Sequence, residues 1–120
     1  MTQLLHDRDW MLGHVHKTCG REAAFAILRV PEHMHQSVLE YLVHGAPVGD
    51  FLTAVFSNDF KETCGRADEE NIKVLFQWAQ LLHNFPIHPQ RGYGSREIVK
   101  RWQEAGGLLG LLKHNATQGE

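Results

Sequence analysis

The chain has little cysteine, little proline and almost no net charge. Its 120 residues include two cysteines, Cys19 and Cys64, and four prolines, with a formal net charge of −2 when histidine is neutral. Two cysteines far apart in sequence form no CxxC pair and no disulfide framework, which points to a reducing interior. The near-neutral balance argues against a general binder of polymeric nucleic acid, which is usually strongly basic. No stretch approaches the ~20 apolar residues of a membrane span. Asp7, Arg8 and Asp9 interrupt any apolar run near the start, so no signal peptide is expected and a cytoplasmic location follows. Neither GxxxxGK[ST], GxGxxG nor HExxH occurs, so no P-loop, dinucleotide or zinc-protease fingerprint is present. No internal repeat or low-complexity tract appears.

What remains is globular material: 42% hydrophobic and 22% charged residues, enough for one domain with its own core. No convincing run of alternating strands occurs, so an all-α fold is expected: a compact bundle of four to five short helices that oligomerises. The core domain is placed at 31–105, after an N-terminal extension over 1–30 and before a tail over 106–120. In the extension, a short helix ends at Gly13, and 21–30 is compatible with helix or strand. Pro31 and Gly45 bracket one helix, and Asp50 caps another that runs to Cys64-Gly65. Asp68 caps a third, from Glu69 to Asn84, stopped by Pro86. Ser95 caps a fourth that ends at Gly106-Gly107. The third has two apolar faces, Ile72, Leu75, Phe76, Ala79 and Leu82 on one side and Val74, Trp78, Leu81 and Phe85 on the other. A helix this apolar is central in the fold or part of a subunit interface, and the second face is the candidate interface.

Asp59 breaks the pattern. At roughly 100° per residue, Leu52, Val55, Phe56 and Phe60 share a face, and Asp59 falls within about 20° of Leu52. A carboxylate in that stripe must be paired, protonated or open to a pocket. Its candidate partners are Arg66, a histidine such as His83, or backbone N–H groups at a helix N-terminus. It has three readings: a buried tie between helices, a ligand-reading group flanked by Asn58, or a catalytic acid or base. No second carboxylate, nucleophile or metal cluster accompanies it. Arg66 sits on the Gly65–Asp68 corner with Asn71, as a brace or an anion contact. The segment from Arg91 to Arg101 is locally basic and glycine-containing. There Tyr93 offers a stacking ring, and Ser95 and Arg96 stand at a helix N-terminus that attracts anions. Nine histidines invite a metal reading. The closest spacings, His14-Val15-His16 and His33-Met34-His35, suit neighbouring ligands on a strand, and no metal or cofactor is assigned. Cys64 precedes a helix end, where the dipole disfavours a thiolate.

Residues Pro31-Glu32-His33-Met34, Tyr41, His44-Gly45-Ala46-Pro47, Gly49, Phe51 to Val55, Asn58-Asp59, Gly65-Arg66-Ala67-Asp68, Asn71, Gly94-Ser95 and Trp102 resemble a family of small phage and prophage proteins. The resemblance covers about residues 30–105. It departs at His88 to Tyr93, where relatives carry a shorter loop with Cys and Trp, and it lacks counterparts for the first thirty residues and the tail. It implies a small accessory protein, in the host cytoplasm, that neutralises a component of host defence. Joined to the residues above, it gives a non-enzymatic protein that sequesters an anionic nucleotide signal. Asn58, Asp59, Arg66, Asn71, Tyr93, Ser95 and Arg96 would form that site. The alternatives are a protein–protein inhibitor of a host defence enzyme, acting through an apolar helix face, and a nucleotide-processing enzyme.

Overall fold

A computed structural model of the protein describes residues 5–84 and 92–111. The described residues form eight principal α-helices, one 3-10 turn and no strand. The helices are α1 (Arg8–Cys19), α2 (Arg21–Arg29), α3 (His35–His44), α4 (Asp50–Phe56), α5 (Phe60–Arg66), α6 (Glu69–Lys73), α7 (Leu75–His83) and α8 (Arg96–Ala105). The 3-10 turn at Glu32–Met34 leads into α3, and 107–111 are helical again. The all-α expectation holds. The elements are shorter and more numerous than expected, because two of the expected helices are broken in the middle.

Local chemistry sets most boundaries. Asp7 caps α1 by accepting from the Trp10 N–H at 3.0 Å, and α1 runs through Gly13 to Gly20 rather than ending at Gly13. Asp68 caps α6 through the Asn71 N–H, and Ser95 caps α8 through the Ile98 N–H. Asp50 is the first residue of α4, not its cap; Gly49 holds that place. The expected helix over 69–84 breaks at Val74 (φ −123°, ψ 34°). That break turns Asn71 inward, where it is 2% exposed and its Oδ1 accepts from the Trp78 indole N–H at 3.0 Å.

The central helix is α3. Its only formal charge between its flanking histidines is Glu40, and Val38, Leu39, Tyr41, Leu42 and Val43 are all fully buried. The sequence marks residues 1–30 as an N-terminal extension and leaves open whether it docks on the bundle. In the structure α1 and α2 pack on α3, and Met11, Val15, Ala23, Ala26, Ile27 and Val30 belong to the same buried cluster as Leu52, Trp78, Val99 and Trp102. Spacings of four residues, as between Met11 and Val15 and between Ala23 and Ile27, put them on single helix faces. From the tail, Leu108 joins the same cluster.

Tyr41 ties three elements together. Its hydroxyl donates to the Gly92 carbonyl at 2.6 Å, its ring stacks on Phe56 at 4.3 Å, and its carbonyl accepts from the Trp102 indole N–H at 2.9 Å. Burial pushes its phenol pKa up, so the hydroxyl keeps its proton. Beside it, the ends of α3 and α8 meet backbone to backbone. A Cβ on Gly45 (φ +67°) would stand 2.8 Å from the Gly107 nitrogen, and one on Gly107 (φ +66°) would stand 2.6 Å from the Gly45 nitrogen.

Two outcomes follow. Gly107→Ala should cost about 2–4 kcal/mol, from the left-handed backbone and from the clash together. Tyr41→Phe should cost about 1–2 kcal/mol, since it leaves the Gly92 carbonyl without its donor. Urea denaturation of both variants against the parent measures each; a cost below about 0.5 kcal/mol for either would remove that contact from the fold's supports.

Candidate functional site

The Asp59 anomaly dissolves at a helix-to-helix corner. Helix α4 stops at Phe56 because Asn58 takes a left-handed conformation (φ 60°), which few residues other than glycine tolerate. The Asn58 N–H then bonds the Val55 carbonyl and the Asp59 N–H bonds the Ala54 carbonyl, each at 3.0 Å, the two bonds of a Schellman cap. Asp59 at once caps α5, its Oδ1 accepting from the Glu62 N–H at 3.2 Å. Its Oδ2 accepts from the Arg96 guanidinium at 3.0 Å. The Asp59 side chain is 29% exposed, so it lies at the edge of the apolar stripe rather than inside it. The Arg96 hydrogen bond first, and the Glu62 N–H second, hold its carboxyl below the ordinary aspartate range.

The partner is therefore Arg96 of α8, not Arg66 or His83. Arg66 is the last residue of α5, about 10 Å from the Asp59 cap along a helix of seven residues. It is held by Glu62 at 3.3 Å and Asp50 at 3.6 Å. His83, expected in the core, is exposed. The segment after α7 meets the same corner: the Gly94 N–H donates to the Phe56 carbonyl at 2.7 Å, Ser95 caps α8, and Tyr93 packs partly buried against the core. Asn58, Asp59, Ser95 and Arg96 thus converge with Tyr93 close by, whereas Arg66 and Asn71 lie elsewhere. Arg91 and Phe85 fall outside the described residues.

The corner forms one end of a groove. Val55, Asn58, Asp59, Phe60, Thr63, Leu75, Trp78, Ala79 and Leu82 line a cavity of about 110 Å³. Leu75, Ala79 and Leu82 share one face of α7, and Phe60, the first residue of α5, stands 75% exposed over them. Phe76 is 69% exposed and Ile72 43% exposed on the adjoining side. The apolar face open to solvent is therefore the one carrying Ile72 and Phe76. Trp78 and Leu81, expected at an interface, are buried within the chain, with Trp78 edge-on to Phe51 at 5.2 Å, and Val74 is half-buried. Sequence periodicity detects both faces of α7 but not which of them the Asn71–Trp78 bond draws inward.

Neither of the closely spaced histidine pairs presents its two rings to one site. His14 and His16 lie on a helix, where a two-residue spacing points them to different sides. His35 is buried between the Val30 carbonyl and Arg8, and His33 pairs with Asp68 and Glu70. Burial pushes the Cys19 thiol up to about 11, which makes it a poor nucleophile at neutral pH. No helix among the described residues is long and apolar enough to cross a membrane. Comparison with known proteins gives no match: no family model, no curated protein and no solved structure resembles this chain significantly.

A carboxyl whose folded-state pKa is depressed adds stability that is complete above the unfolded value, about 3.9, and is lost as pH falls through the lower folded value. Asp59→Asn keeps a capping oxygen but loses the charge that faces Arg96. Its melting temperature should fall below the parent's at pH 6, and the gap should close as pH drops below about 4. A gap of constant size down to the acid limit would mean that ionised Asp59 does not stabilise the corner.

Proposed function

We propose that this is a small non-enzymatic binding protein whose ligand is another protein, held through the groove beside Asp59. The observation that carries this reading is an apolar cavity lined by the largely exposed Phe60, with the exposed Phe76 on the same helix as Leu75, Ala79 and Leu82 of its lining. Exposed apolar surface grouped around a concave site marks an interaction surface more often than scattered apolar residues do. The cavity volume of about 110 Å³ suits one apolar anchor side chain and falls well short of the ~300 Å³ or more of a small-molecule pocket. A partner helix that lays a leucine, methionine or phenylalanine into the groove fits this geometry, with Phe60 closing over the anchor and Phe76 offering further apolar contact. The resemblance of residues 30–105 to small phage and prophage proteins supports a host defence protein as the partner.

The nucleotide-signal reading has less support. Arg96 is engaged by Asp59, Arg66 by Glu62 and Asp50, and Asn71 by Trp78. The cations that would meet a phosphate are neutralised at opposite ends of α5. An enzymatic reading would need Asp59 free to exchange protons while Arg96 and the Glu62 N–H hold it ionised.

A photo-crosslinking residue in place of Phe76 should capture a discrete host protein. The yield should collapse when Phe60→Ser is added, while the melting temperature stays within a few degrees of the parent, as expected at exposed positions. Size-exclusion chromatography should give a monomer, and titration with cyclic nucleotides should give no heat. Nucleotide binding that Arg96→Ala abolishes, or a stable dimer that buries both rings, would contradict the proposal.

A further inference from the structure

On the far side of α3 from the packed core, three metal-ligand side chains come together. Gln36, Glu40 and His44 follow one another at intervals of four residues and so line one face of the helix. The segment before α1 lies across that face. Gln36 Nε2 donates to the His6 carbonyl at 2.9 Å, and His44 Nε2 donates to the Leu5 carbonyl at 2.6 Å. His6 Nδ1 stands 2.8 and 3.1 Å from the two Glu40 carboxylate oxygens. The His6 and His44 rings stack with centroids 4.2 Å apart. One nitrogen from each ring and one Glu40 oxygen all lie within 4.8 Å of one another.

We propose that His6, Glu40 and His44 form a binding site for a divalent transition-metal ion of the zinc type. Two imidazoles and a carboxylate are the donor set that borderline metals take, whereas magnesium and calcium prefer oxygen alone. An i, i+4 pair on a rigid helix fixes two ligands, and the crossing segment brings the third. Metal bonds of about 2.0–2.2 Å place tetrahedral ligand atoms roughly 3.3–3.5 Å apart, so His6 and Glu40, at 2.8 Å, must part slightly while His44, 4.0 Å from Glu40, closes toward them. Small rotations of His6, the most exposed of the three side chains, and of His44 supply that movement. Coordination through His44 Nε2 exchanges the bond to the Leu5 carbonyl for one to the metal, so binding also moves the segment before α1. Three protein ligands leave a fourth position for water or another donor. His14, on α1 where it packs against α3, is a candidate, because its Nε2 is buried without a hydrogen-bond partner. Sequence spacing does not reveal the site, because its ligands come from two segments thirty-four residues apart.

The test uses the full untagged chain after treatment with a chelator, titrated separately with zinc, cobalt and magnesium. Zinc should raise the melting temperature, cobalt should give a visible ligand-field spectrum, and magnesium should do neither. His44→Ala and His6→Ala should each weaken zinc binding at least tenfold and remove the cobalt spectrum. His16→Ala, at an exposed position on α1, should leave both unchanged. Circular dichroism checks that the variants fold, and His6→Ala, on the exposed segment, serves if His44→Ala does not. Absence of any zinc or cobalt effect on the parent, or zinc affinity unaltered in His6→Ala, would overturn the site and leave a plain hydrogen-bonded cluster.

Discussion

The Tyr41 side chain is the contact on which the arrangement of the candidate site depends. A buried phenol needs a hydrogen-bond partner, and the one it finds is a backbone carbonyl, Gly92, in the segment that leads into α8. The same ring lies flat on Phe56, the last residue of α4. One side chain of the central helix therefore fixes both sides of the corner, α4 from beneath and the 92–96 segment from above. The Trp102 indole bond to the Tyr41 carbonyl then brings α8 down on α3, and the facing glycines at 45 and 107 let the two helix ends touch.

With both sides fixed, the short-range chemistry of the corner has one outcome. Phe56 gives its carbonyl to Gly94, Asn58 reverses the chain, and Asp59 caps α5 while it accepts from Arg96. Phe60 follows immediately and projects into solvent because α5 starts there, with its apolar neighbours already committed to the core. The exposed ring is a consequence of the cap. A polar tie at Asp59 and an apolar ring at Phe60 thus belong to one device, which closes the end of the groove and leaves its mouth open.

Much of this was legible in the sequence wherever the signal is local. Asp68, Ser95, Gly45 and Gly106 announce their helix ends through side-chain capping or left-handed backbone, and the structure places them there. The break after Phe56 carried a local signal too: Asn58, a residue that tolerates the left-handed region, then Asp59 with Glu62 three residues on, a capping pair. An unbroken apolar period from Leu52 to Phe60 masked it. The faces of α7 were not legible. Both are apolar, and the choice between them rests on Asn71 and Phe51 meeting Trp78, contacts that no window of sequence contains. Likewise the partner of Asp59 lay thirty-seven residues away on another helix, while Arg66 and His83 merely had suitable charge and spacing.

The claim that Tyr41 locks the corner into the core is tested most directly by native-state hydrogen exchange at single amides. The Asp59 and Gly94 N–H groups, bonded to Ala54 and Phe56, should exchange only through global opening, as slowly as Leu42 in α3. In Tyr41→Phe they should exchange faster than Leu42 does. Rapid exchange at Asp59 and Gly94 in the parent, with α3 still protected, would show a corner that moves independently of the core and would contradict the account.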